Sequence, residues 1–213
     1  LIMAAVLIVR PWGLLGTPQA PTRTGSETAG RPWRPLGPPG RVAILAALAA
    51  AALLPAVAGS YALTVASEIM IFAVFASSLH LLMSAGGLAS FGHAAFFGLG
   101  AYAAALGVKS AGLAMMPALV AGAAAGFAGA AAFGWFAVRL SGVYLAMLTL
   151  AFAQLLWSLA FQWVEVTGGD NGILGLWPPD WAAGPSAFYW LTLALTATAV
   201  IFLRTVIFSP FGY

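Results

Sequence analysis

The sequence predicts an all-α fold: a polytopic transmembrane helical bundle of about six spans, one of them broken or glycine-rich. Three observations predict it. Charged residues make up 6% of the chain against 62% hydrophobic, and mean hydropathy is +1.00, where a soluble domain carries about 25% charged residues. The apolar residues fall into runs near the ~20 residues that cross a bilayer as a helix. Short segments rich in glycine or charge separate those runs. Cysteine is absent, which excludes a disulfide framework, a thiolate nucleophile and a cysteine metal site. The net charge of +3 is small, and its placement reads as membrane topology, not nucleic-acid binding.

Taken in order, Leu1–Val9 is an apolar run stopped by Arg10-Pro11. No basic stretch precedes it and no clear cleavage site follows, so it does not read as a signal peptide. The chain opens inside this run without Met and closes at Ser209-Pro-Phe-Gly-Tyr213, so a piece of a longer polypeptide is expected. Residues 17–41 hold Pro18, Pro21, Pro32, Pro35, Pro38 and Pro39 together with Arg23, Arg31, Arg34 and Arg41. They lack apolar periodicity and read as a Pro/Arg-rich cytosolic linker. Residues 42–213 read as the membrane domain. Val42–Ala58 is its first span, Gly59-Ser60 a tight turn and Tyr61–Met83 its second span. Gly86–Leu106 is the third, and Gly107–Gly112 with Lys109 a small loop. Leu113–Val138 is the fourth span, ended by Arg139, with Gly122 and Gly126 at the G-x-x-x-G spacing that permits close helix approach. Gly142–Val164 is the fifth, Glu165–Pro185 the one long loop, and Ser186–Phe208 the sixth.

The third segment organises the chain. It is apolar, yet it carries Gly86, Gly87, Gly92, Gly98 and Gly100 with Ser90 and His93. Irregular backbone at membrane depth survives only where protein or a water-filled cavity satisfies its polar groups. Glycine-interrupted hydrophobic segments therefore point to a transport path. The other reading is a tightly packed helix that follows a cytoplasmic turn.

Charge placement sets an orientation. With Arg31, Arg34 and Arg41 in the cytoplasm and the spans alternating, Arg139 and Arg204 also fall at inner ends. Lys109 is then the one base outside, on the side of the acidic loop with Glu165, Asp170 and Asp180. Trp163, Trp177, Trp181, Tyr189 and Trp190 gather at the same outer end as an aromatic belt.

Several polar groups fall inside the apolar runs. Glu68 lies about 10 Å into the second span at 1.5 Å per residue. A carboxylate there is costly and points to function, or to a hydrogen-bonded carboxyl that locks two helices. His80 lies about 120° round the same helix from it and falls near the inner interface. Gln154, Ser158, Gln162 and Glu165 share a helical face. They read either as the lining of a polar path or as interhelical hydrogen-bond donors and acceptors. Thr167-Gly-Gly-Asp-Asn-Gly172 is turn chemistry, a structured outer loop that touches a partner or simply turns. It lacks the spaced acids and closing Glu of a calcium loop.

Enzyme readings fail on these residues. Ser90 and His93 are three apart in one segment and lack the G-x-S-G context of an intramembrane serine protease. Two isolated histidines offer no metal ligand set. Gly107-Val-Lys-Ser110 lacks the adjacency of a phosphate loop. If ATP powers the protein, another chain binds it.

The stretch Gly87-Leu-Ala-Ser-Phe-Gly-His-Ala-Ala-Phe-Phe-Gly-Leu-Gly-Ala-Tyr102 resembles the hallmark segment of the branched-chain amino acid ABC importer permeases, LivM type. Three further stretches agree in order: Arg139-Leu-Ser-Gly-Val-Tyr-Leu-Ala-Met-Leu-Thr-Leu-Ala-Phe-Ala-Gln154, Thr167-Gly-Gly-Asp-Asn-Gly172 and Ser209-Pro-Phe-Gly212. The likeness covers roughly Val42 to Tyr213. Leu7-Ile-Val-Arg-Pro-Trp-Gly-Leu-Leu-Gly16 resembles the closing residues of the sister permease, LivH type, so residues 1–16 are expected to end an upstream permease segment. The resemblance implies a multi-pass protein of the bacterial inner membrane, in contact with lipid, without catalytic or metal residues. It implies a second, LivH-like permease, two cytosolic ATPase subunits that hold ATP and Mg, and a periplasmic substrate-binding protein. Transport would run by alternating access. The cytoplasmic coupling loop of these permeases follows the Ser-Pro-Phe-Gly motif, so this stretch of chain is expected not to transport by itself. Ser90, Gly92, His93, Gln154, Ser158 and Glu68 are the expected translocation or gating residues. Gly98, Gly100, Gly122 and Gly126 are expected at helix packing, and Asp170 and Asn171 at docking of the binding protein. Urea or short-chain amide importers share this permease type and remain the first alternative. A passive channel is the alternative from another class.

Overall fold

A computed structural model describes residues 37–84, 86–88, 90–137, 140 and 142–209. The expected upstream segment, most of the linker, Arg139 and the last four residues lie outside the described residues. Among the described residues the elements are all helical: α1 (Pro38–Val57), α2 (Ser60–Ser84), α3 (His93–Lys109), α4 (Met115–Ala137), α5 (Gly142–Gln162), α6 (Val164–Thr167) and α7 (Pro185–Ile207). Two short 3-10 turns, Gly169–Asn171 and Asp180–Ala182, shape the long loop. The fold is therefore an all-α helical bundle, as the apolar runs predict. Among the described residues, five helices (α1, α2, α4, α5 and α7) are long and apolar enough to cross a membrane. The sixth apolar segment is the glycine-rich one. Its helix, α3, has 17 residues, about 25 Å at 1.5 Å per residue.

Boundaries shift from the expected ones for local reasons. α1 starts at Pro38, not Val42, because proline in the first helical turn lacks only an N–H that has no intrahelical partner there. α3 keeps Gly107–Lys109 helical and stops where Ser110 N–H donates to Leu106 O at 2.8 Å.

Two compact units emerge from the contacts. The first lies within Leu82–Trp177 and holds α3 to α6. α3 and α4 form an antiparallel hairpin whose close approach rests on glycine. A Cβ on Gly122 would stand 2.6 Å from Gly100 O and 2.9 Å from Ala104 Cβ, and one on Gly126 would stand 3.4 Å from Phe96 O. Phe133, Ala137, Leu145 and Leu148 form a buried cluster with Leu88, Phe96, Leu140 and Phe152 packed against it. The Phe133 ring lies 4.2 Å from that of Phe152 and 5.7 Å from that of Phe96. The cluster thus joins α3, α4 and α5 with the non-helical Leu88.

The second unit lies within Thr22–Leu81 and Pro178–Tyr213. Its contact of α1 with α7 has a chemical cause. Pro55 sits inside α1 and has no N–H for the carbonyl four residues back, which is Ala51 O. The Tyr189 hydroxyl donates to that oxygen at 2.7 Å. Tyr189 is only 1% exposed, so it does not stand in an aromatic belt with Trp163, Trp177, Trp181 and Trp190, which are exposed. The need of its O–H for a partner and of Ala51 O for a donor puts it inside.

Candidate functional site

The glycine-rich segment is broken at its start. Gly86–Leu88 and Ser90–Gly92 are not helical. Gly87 takes φ +61°, a conformation open to glycine at little cost. Leu88 N–H turns back to Leu82 O at 3.3 Å. Phe91 N–H donates to Thr149 Oγ1 at 3.1 Å, and the Thr149 hydroxyl donates in turn to Ala146 O at 2.9 Å. Gly92 is buried against the same residue, where a Cβ would stand 2.5 Å from Thr149 O. Thr149 lies about 10 Å along α5 from Gly142 at 1.5 Å per residue. α3 therefore begins part-way along α5, with non-helical backbone before it. The Thr149 hydroxyl on α5 and the Leu82 carbonyl of α2 each take one N–H of that backbone.

The other ends of α3 and α5 lie together. Lys109 Nζ donates to Leu174 O at 3.3 Å, which places Lys109 beside the acidic loop, as the charge pattern expects. The loop is fixed to the end of α5 by Thr167. Its hydroxyl reaches the carbonyls of Ala160 and Trp163, and its oxygen accepts from Gly169 N–H at 3.3 Å. Gly168 has φ +78° and a Cβ there would collide with the Gly172 carbonyl. Only glycine fits this turn.

Between α3, α5 and this loop lies a cavity of about 700 Å³. Gly98 and Tyr102 line it from α3, Gln154 and Trp157 from α5, and Thr167 and Asp170 from the loop. The wall is mostly apolar with a few polar groups, the usual make-up of a small-molecule site. Of the residues expected from sequence, it brings together Gly98, Gln154 and Asp170. Gly98 is a correction in role. A Cβ there would meet nothing within 4 Å, so its missing side chain leaves space in the cavity instead of closing a helix contact. Gly100, Gly122 and Gly126 do lie at the α3–α4 contact.

The other expected residues fall elsewhere. Ser90 and His93 are half-buried at the break, beside Gly92. Ser158 accepts from Gln162 Nε2 at 2.9 Å and does not line the cavity. The expected stripe ends there, because α5 stops at Gln162 and Glu165 belongs to the separate turn α6. Glu68 is exposed on α2, in the second unit. Asn171 is exposed beside Asp170. Among the described residues no group of three metal-ligating side chains forms. Sequence reasoning missed Thr149, Tyr102, Trp157 and Thr167. Thr167 had a signal, since it opens the glycine-rich turn. Thr149 had none, as one threonine in an apolar run.

A family model described as branched-chain amino acid transport system / permease component matches residues 61–213. The chain is 32% identical over 134 residues to the high-affinity branched-chain amino acid transport system permease protein LivM of Salmonella typhimurium, over 61% of this chain and 31% of that protein. It is 36% identical over 113 residues to the protein of the same name from Escherichia coli, over 51% of this chain and 26% of that one. The match thus spans about a third or less of those relatives. No solved structure matches the chain.

Proposed function

The chain belongs to the family of branched-chain amino acid transport system permease components, and on that premise we propose that it serves as the membrane-spanning permease of an ATP-driven importer for branched-chain amino acids. One observation carries this reading: the glycine-rich segment breaks part-way along α5, and a largely apolar cavity opens beside its helical part. Discontinuous helices beside a cavity are how transporters build a substrate route. Apolar walls suit an aliphatic side chain, and Gln154 and Asp170 offer an amide and a carboxylate to the charged ends of an amino acid. Ser90, Gly92 and His93 stand at the gating end of this route. Ser158 braces Gln162 near it. Glu68 is the further membrane-depth carboxylate.

Partners complete the machine. A LivH-like permease pairs with this one in the bacterial inner membrane. Two cytosolic ATPase subunits bind ATP and Mg and drive alternating access. A periplasmic binding protein docks on the loop that carries Asp170 and Asn171. The test is uptake of labelled leucine by the full complex in proteoliposomes, with valine, isoleucine and urea as competitors. Leucine uptake that needs ATP and is blocked by valine supports the reading. Uptake of urea instead changes the substrate, and flux without ATP makes the protein a channel.

A further inference from the structure

The cavity stops abruptly. Its lining begins at Ala94 and Ala95 on α3, two and three residues past Gly92, and at Ala153 on α5, four residues past Thr149. At that level the two backbones touch, because a Cβ on Gly92 would stand 2.5 Å from Thr149 O and 3.2 Å from Thr149 Cβ. Around and beyond the contact, towards Gly142, sits the buried cluster of Phe133, Ala137, Leu145 and Leu148, with Leu88 packed on it. No amino-acid zwitterion passes a backbone contact too tight for a methyl group, nor an apolar cluster that offers its charges nothing.

We infer that Phe91, Gly92 and Thr149 form the gate that closes the cytoplasmic end of the cavity, with the Thr149 hydroxyl as its latch. The inference rests on the permease reading and adds the residues that open and shut the route. The latch is the bond that Phe91 N–H donates to Thr149 Oγ1. It lies outside the hydrogen-bond ladders of α3 and α5, so it parts without breaking either helix. Gly92 acts by size, since any side chain would hold the two elements apart. Thr149 acts by its acceptor oxygen, which its bond to Ala146 O aims at Phe91.

The sequence has no cysteine, so a pair of introduced thiols is the only one in these residues. In the full complex, Phe91→Cys with Thr149→Cys should cross-link on oxidation. ATP-dependent leucine uptake should then stop and return on reduction. Uptake at the reduced rate in the cross-linked complex would overturn the gate, and so would failure to cross-link. Should the pair abolish uptake in both redox states, Ala137→Cys decides. Its thiol, buried in the cluster, should react with a hydrophilic maleimide from the cytoplasmic side during ATP turnover but not at rest. Equal labelling with and without ATP would overturn the inference. Thr149→Val should let leucine leak from loaded vesicles without ATP, and Thr149→Ser should not. A wild-type complex without ATP-dependent leucine uptake would count against the permease reading itself, and the maleimide result would still report whether the contact opens.

Discussion

Single side chains hold this bundle at places where the backbone lacks a partner. Pro55 leaves Ala51 O without its helical donor, and Tyr189 supplies one from α7 at 2.7 Å. Tyr189→Phe keeps the ring and removes that donor. An unsatisfied buried carbonyl costs about 1–3 kcal/mol, so unfolding of the detergent-solubilised protein should start at lower denaturant. Adding Pro55→Ala to the Tyr189→Phe variant should recover most of the loss, because alanine brings its own N–H to the helix. Neither effect was legible in the sequence. Tyr189 lies 138 positions from Ala51, and near the start of a span a tyrosine reads as an interface residue. Thr149 was hidden for the same reason: its partner, Phe91, lies 58 positions away.

At the scale of elements, glycine decides which helices touch. Gly122→Ala puts a methyl against the Gly100 carbonyl and Ala104, and overpacking of this kind costs about 1–3 kcal/mol. Gly134 lies on the same helix with nothing within 4 Å of its absent Cβ. Gly134→Ala should be neutral or stabilise by up to about 1 kcal/mol through the backbone term. Thermal unfolding of the two variants side by side checks the contrast. Thr167→Val removes the hydroxyl that ties the glycine-rich loop to α5. That loop should then be cut faster by an added protease, while α3–α5 stay protected.

The elements were largely readable because apolar runs of span length leave few alternatives in a chain with 6% charge. The stretch before α3 was legible only as a choice of two, since five glycines with a serine and a histidine fit either a broken span or a tightly packed helix that follows a turn, and the structure has non-helical backbone followed by a continuous, closely packed α3. The role of Gly98 was not. G-x-x-x-G spacing cannot tell a glycine that meets a neighbouring backbone from one that leaves a hole. The polar stripe expected from Gln154 to Glu165 stops short, because helical spacing assumes a helix that in fact ends at Gln162.

For the whole molecule, the family match makes the chain a permease component, and the route proposed for its substrate runs through the cavity between α3 and α5. Gly98 offers the most direct test. A leucine side chain there has open space to occupy, so Gly98→Leu should fill the cavity without pushing α3 from its neighbours. The measurement is ATP-dependent leucine uptake by the full complex carrying Gly98→Leu, alongside its unfolding temperature and that of the parent. Uptake should fall to background with the unfolding temperature unchanged. Parental uptake by a correctly folded Gly98→Leu complex would contradict it, because the substrate would then be crossing somewhere else.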